Sequence, residues 1–189
     1  QAMVILNRLY KYTQMETSFG IILLAIVNGR PQVLTLKEIL QHFIAHRREM
    51  VVRRTIYDLR KAEERAHILE GLKKALDFLD EVIELIRSSS DSKEAKTRLM
   101  AEFELSDIQA QAILDMRLHR LTGLEREKIN AEYEDLIKNI ARFKSILENP
   151  SMVLQIVKEE TQAVREKYGD ERRTEILEDQ GDIDLEDLI

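Results

Sequence analysis

From Thr35 onward the chain repeats apolar residues at helical spacing. Leu36, Ile39, Leu40, Phe43 and Ile44 come first. After a charged stretch follow Val52, Ile56, Leu59, Ala62, Ala66, Leu69, Leu72, Leu76, Leu79, Ile83 and Ile86. Steps of three and four alternate for most of this distance, which is close to a heptad seam. A continuous helix from Leu36 to Ile86 would be about 75 Å long at about 1.5 Å per residue. Gly71 is the one position where the pattern predicts a bend, since an interior glycine costs about 1 kcal/mol relative to alanine. A second periodic segment carries Ile129, Tyr133, Leu136, Ile140, Phe143 and Leu147. Asn149-Pro150 then resets the chain, with proline suited to a first helical position. Val153, Val157, Val164 and Tyr168 continue the stripe until Gly169 stops it.

Between the two periodic segments lie short helices announced by their caps. Thr35/Glu38 opens the long helix as a capping box, in which a hydroxyl or carboxylate caps the first turn and the third residue reaches back. Asp91/Glu94, Ser106/Gln109 and Thr122/Glu125 repeat the pattern. The predicted fold is mainly α: a long antiparallel two-helix coiled coil with a small helical lobe at its tip. Basic residues at 46–65 and Glu159, Glu160 and Glu166 near the end of the returning segment would face each other in such a hairpin. Exposed pairs contribute about 0–1 kcal/mol, so they would set register rather than drive folding.

The N-terminal part differs. Residues 2–12 read as a short helix. Ile21–Val27 is an apolar run rich in β-branched residues, and Asn28-Gly29 suits a type I′ hairpin turn, which needs positive φ at both central residues. Pro31 cannot donate to a ladder, so its strand is short or at an edge. A lone hairpin is marginal in water. It is therefore expected to complete a larger sheet or pack on helices outside this chain. The chain has no initiator methionine and begins at once on an apolar segment, so it is expected to be part of a longer protein.

Composition narrows the class. Hydrophobic residues make up 44 % of the 189 residues and charged residues 34 %, with 5 % aromatics, two prolines and no cysteine. Disulfide and thiol chemistry are excluded, which is compatible with a reducing cytoplasm. No apolar run approaches the roughly 18 residues of a membrane span. The net charge of −6 argues against a globally basic nucleic-acid binder and leaves room for a local basic patch.

Chemistry-bearing motifs are few. His42 and His46 stand one helical turn apart, but Phe43 occupies the place where a zinc metalloprotease would carry glutamate; surface histidines are the simpler reading, and no metal site is expected. No glycine-rich phosphate loop or Ser-His-Asp arrangement occurs, and Asp80-Glu81 reads as solubilising charge. "HRREMVVRR" is the one stretch suited to DNA phosphates, through Arg47, Arg48, Arg53 and Arg54. The structural alternative is that these arginines flank a coiled-coil seam. The tail from Glu175 to Asp187 carries seven carboxylates and no basic residue, the composition of a solvated linker.

"RRTIYDLRKAEERAHILEGL", "QAQAILDMRLHRLTGLEREKI" and "DERRTEI" together resemble the A subunits of bacterial DNA gyrase, a type IIA DNA topoisomerase. The likeness extends over nearly the whole chain, from "LYKYTQMETSFGI" to "LEDLI". Topoisomerase IV A subunits have a similar segment and are the alternative, as is an auxiliary DNA-binding module acting through residues 46–54. The resemblance implies that 1–35 is the end of the tower region and 36–88 a descending arm. It makes 89–125 a dimerisation lobe, 126–169 an ascending arm, and 170–189 a linker toward a C-terminal domain absent here.

Such an arm and lobe would form the C-gate, the exit through which the transported duplex leaves during ATP-dependent negative supercoiling. The implied partners are a second copy of the chain, the gyrase B subunit in an A2B2 enzyme, and DNA; no membrane is involved, and the setting is cytoplasmic. Mg²⁺ and ATP would sit on the partner subunit, with no cofactor in this chain. None of Tyr10, Tyr12, Tyr57, Tyr133 or Tyr168 lies in the family's active-tyrosine motif, so no catalytic residue is expected. The apolar positions assigned to the dimer contact are Ile108, Ala112, Ile113, Met116, Leu118, Leu121 and Leu124, with Arg117, His119 and Arg120 as its rim. Some of the seven are expected to fill the lobe's own core instead.

Overall fold

The computed structural model describes residues 2–116 and 123–178, the side chain of Leu124 excepted. The described residues form seven helices and one two-stranded antiparallel sheet. They divide into two compact units, one of residues 2–44 and 161–178, the other of residues 45–116 and 123–160.

The first unit holds helix α1 (Ala2–Tyr12) and the hairpin of β1 (Leu23–Val27) and β2 (Arg30–Leu34). Asn28 and Gly29 both have positive φ, 51° and 77°, as the Asn-Gly pair predicts for a type I′ turn. The register pairs Leu24 with Val33 and Ile26 with Pro31. Leu24, Ile26 and Val33 are all exposed, so the hairpin buries little of its own apolar surface. At the start of α2 (Leu36–Asp77), the Glu38 carboxylate accepts the Thr35 N–H at 2.7 Å, while the Glu38 N–H donates to the Thr35 hydroxyl at 3.3 Å.

The second unit is a helical hairpin with a lobe. Its α2 residues run antiparallel to α6 (Gly123–Glu148) and the first half of α7 (Pro150–Tyr168). A ladder of ion pairs records the direction: Arg47 and Arg54 with Glu160, Glu63 with Lys144, Arg65 with Glu132, and Asp77 with Arg126. As the number rises along α2, its partner's falls. Val51, Ile146, Val153 and Val157 form a small core in one stretch of the hairpin. Thr55, buried beside Val51, satisfies its hydroxyl by donating to the Val51 carbonyl at 2.8 Å.

The larger core lies toward the lobe. Leu69, Leu72, Ala75 and Leu76 of α2 meet Val82 and Leu85 of α3 (Leu79–Ser88), Leu99 of α4 (Ser92–Glu102), Ala110 and Ile113 of α5 (Asp107–Leu114), and Ile129 of α6. Fully burying a side chain such as Leu69 or Leu99 contributes about 1.5–3 kcal/mol, so this cluster is what holds the lobe together.

The long helix is interrupted at Phe78, with φ −117° and ψ 45°, and continues straight through Gly71. Tertiary contacts gather at the break. The Phe78 ring lies 6.1 Å from that of Phe103, and Lys74 Nζ donates to the Phe103 carbonyl at 2.5 Å. Gly71 has a different task, because it lets Gln109 lie directly on the α2 backbone.

Candidate functional site

Two surfaces concern the sequence-predicted residues: the lobe around α3 and α5, and the arginine-rich stretch of α2.

In the lobe, Ser106 caps α5. Its hydroxyl accepts the Gln109 N–H at 3.2 Å, and the Gln109 side-chain oxygen accepts the Ser106 N–H at 2.9 Å. The buried Gln109 amide also donates to the His67 carbonyl at 2.8 Å, and His67 Nε2 lies 2.7 Å from the Ser106 hydroxyl. The start of α5 is thereby clasped to α2, which fixes where the apolar side chains of α5 point. Ile113 is buried in the lobe's own core at 3 % exposure, whereas Ile108 stands out at 58 %. Ala112 and Met116 are half-buried and pack on the core's edge. Leu118, Leu121, the Leu124 side chain and the rim residues Arg117, His119 and Arg120 lie outside the described residues.

Ile113 and Met116 come together in an apolar cleft of about 500 Å³, lined also by Leu79, Val82, Ile83, Ile86, Arg87 and Leu114. The α3 contribution was not predicted. Leu79, Ile83 and Ile86 fit the heptad seam by spacing, and only the break at Phe78 turns them onto the lobe. No sequence signal marks that break, as Phe78 offers no side-chain cap.

On α2, Arg47 Nη2 lies 2.5 Å from Glu160 Oε2, and Arg54 Nη2 lies 2.6 Å from Glu160 Oε1. One carboxylate thus engages two guanidinium groups a heptad apart. These contacts, Arg54's hydrogen bond foremost, hold the Glu160 carboxyl below the usual carboxylate range against the opposing effect of burial. Arg53 pairs with Glu49 on its own helix at 2.6 Å. Arg48 is exposed and lines a cleft with Arg53, Glu49, Val52, Leu147, Pro150 and Val153. The four arginines therefore do not form one array: Arg47 and Arg54 share Glu160, whereas Arg48 and Arg53 line the cleft.

Among the described residues, no group of three or more His, Asp or Glu side chains is arranged to hold a metal ion, and no helix is long and apolar enough to cross a membrane.

An arm of antiparallel helices ending in a lobe with its own core is the class of structure these residues define. The family profile for the A subunit of DNA gyrase and topoisomerase IV matches residues 1–162. The DNA gyrase A subunit of Halalkalibacterium halodurans is 58 % identical over 188 residues, covering 100 % of this chain and 23 % of that protein. Its counterpart in Clostridium acetobutylicum is 56 % identical over 186 residues, 98 % of this chain and 22 % of its own length. That of Staphylococcus aureus (strain MRSA252) is 53 % identical over 189 residues, 100 % and 21 % respectively. The chain belongs to the family of DNA gyrase and topoisomerase IV A subunits. It spans between 21 % and 23 % of the length of these curated relatives.

Proposed function

We propose that this chain is the exit-gate segment of a gyrase A subunit, an arm and lobe that pairs with a second copy of itself. The observation that carries this reading is the uncovered apolar surface of the lobe: Ile108 stands exposed on α5, and Met116, Leu79, Ile83, Ile86 and Leu114 of the cleft remain only partly covered by the chain. Removing such surface from water supplies about 25 cal/mol per Å². A two-fold contact would set each patch against its own copy. An apolar contact suits a gate that must hold while DNA is broken and still open, because its strength scales with the area removed from water.

In the complete enzyme the gate would close behind the transported duplex during ATP-dependent supercoiling. ATP and Mg²⁺ belong in this reading to the B subunit of an A2B2 assembly, and strand cleavage to residues outside this chain. The contribution of this chain is mechanical: a lobe that pairs, and a two-helix arm that carries it. The chain's oligomeric state in multi-angle light scattering tests the reading. A dimer that Ile108→Asp weakens supports it; a monomer at every accessible concentration rejects it.

A further inference from the structure

We propose that Arg47 and Arg54 form a two-guanidinium phosphate site for duplex DNA, which Glu160 of the same chain occupies until a DNA phosphate displaces it. The inference goes beyond the gate reading and holds whether or not the lobes pair.

The geometry is that of an anion site already filled. Arg47 and Arg54 are seven residues apart on α2 and so project from one side of the helix. Each sends one Nη2 to a different oxygen of a single carboxylate, at 2.5 and 2.6 Å. A phosphodiester likewise presents two non-bridging oxygens, and guanidinium groups recognise carboxylate and phosphate with the same donor pattern. The contact is open to exchange, since the side chains of Arg47, Arg54 and Glu160 keep 35 %, 53 % and 31 % of their exposure. Glu159, the adjacent carboxylate, instead accepts a hydrogen bond from Gln155 at 2.8 Å and pairs with no arginine among the described residues.

That neighbour supplies the control. Binding of the 189-residue chain to a short fluorescently labelled duplex of mixed sequence is measured by anisotropy across a salt series. The variants are Glu160→Gln, Glu160→Asp and Glu159→Gln, with circular dichroism confirming helicity. Glu160→Asp keeps the charge but retracts the carboxylate by one methylene. Each phosphate neutralised contributes about −0.9 to the slope of log K against log salt. Freeing two arginines should therefore steepen the slope by up to about 1.8 in Glu160→Gln and tighten binding about three- to tenfold at low salt. Glu160→Asp should gain in the same direction, and Glu159→Gln should gain less than either. Adding Arg47→Ala and Arg54→Ala to Glu160→Gln should erase the gain. Equal gains in Glu160→Gln and Glu159→Gln would reduce the effect to net charge and overturn the proposal. Unchanged binding in both Glu160 variants would also overturn it, and if Glu160→Gln loses its helicity, Glu160→Asp decides alone.

Discussion

Gln109 of α5 lies against the bare backbone of Gly71 in α2, so close that a methyl group at Gly71 would sit 2.6 Å from the Gln109 Cβ and 2.7 Å from its Cγ. The atom in the way is the root of the side chain, so rotating Gln109 cannot relieve the overlap. Gly71→Ala should therefore destabilise the chain by about 1–3 kcal/mol through overpacking. Helix propensity alone would give the opposite sign, a gain of up to about 1 kcal/mol. Urea unfolding of the two proteins decides the sign.

The same contact predicts a compensation. Gln109→Gly removes the Cβ, the Cγ and the amide, loses the bonds to the His67 carbonyl and Ser106 N–H, and should cost about 1–3 kcal/mol. In Gly71→Ala/Gln109→Gly, where the Cβ that the new methyl group would meet is gone, the loss should be smaller than the sum of the single losses, because residues in contact couple by about 0.5–3 kcal/mol. A double-mutant cycle that closes to zero would show that α5 does not rest on Gly71.

Ser106→Ala removes the α5 cap and the partner of His67 Nε2 together. A lost cap alone costs about 0.5–2 kcal/mol. The expected signature is local: hydrogen exchange should accelerate in the first turn of α5 more than in α7. Uniform acceleration across both helices would mean that the clasp is not a separate element.

Acid should weaken the arm in a defined window. Glu160 has its carboxyl pKa lowered in the folded state, chiefly by Arg54 and then by Arg47. Its contribution is therefore complete above the unfolded carboxylate pKa of about 4.3 and is lost as pH falls through the lower folded value. Glu38 and Glu94, lowered by their bonds to Thr35 and Ser90, act in the same direction. The stability difference between the parent chain and Glu160→Gln should be at most about 1 kcal/mol at neutral pH and shrink toward zero in acid. A difference independent of pH would contradict the Arg54–Glu160–Arg47 contact.

Features governed by near neighbours were legible in the sequence. Asn28-Gly29 encodes its turn, and Thr35/Glu38 and Ser106/Gln109 encode their caps, because each depends on residues within four positions. Asp91/Glu94 was half legible: the Glu94 N–H does bond the Asp91 carboxylate, but the Glu94 side chain reaches back to Ser90. Features set across the fold were not legible. The break at Phe78 meets Phe103, and Gly71 is needed because of Gln109, distant in sequence. Charge complementarity pointed to Glu159, Glu160 and Glu166 together, but only packing selects Glu160 for the arginines, leaving Glu159 to Gln155 and Glu166 to Gln162. In the lobe, spacing could not separate Ile113, which fills the core, from Ile108, which stands clear of it.

That last distinction gives the most direct test of the gate reading. Ile108 is exposed in the single chain, so Ile108→Asp should leave the lobe folded, whereas a charge at buried Ile113 would unfold it. Sedimentation equilibrium of the parent chain and Ile108→Asp measures the association constant directly. A Kd of about 1 μM corresponds to about −8 kcal/mol, and each tenfold weakening to about 1.4 kcal/mol. The account predicts a dimer for the parent chain and at least about a tenfold weaker one for Ile108→Asp, with unchanged helicity. A parent chain that stays monomeric throughout, or a dimer indifferent to Ile108→Asp, would contradict it.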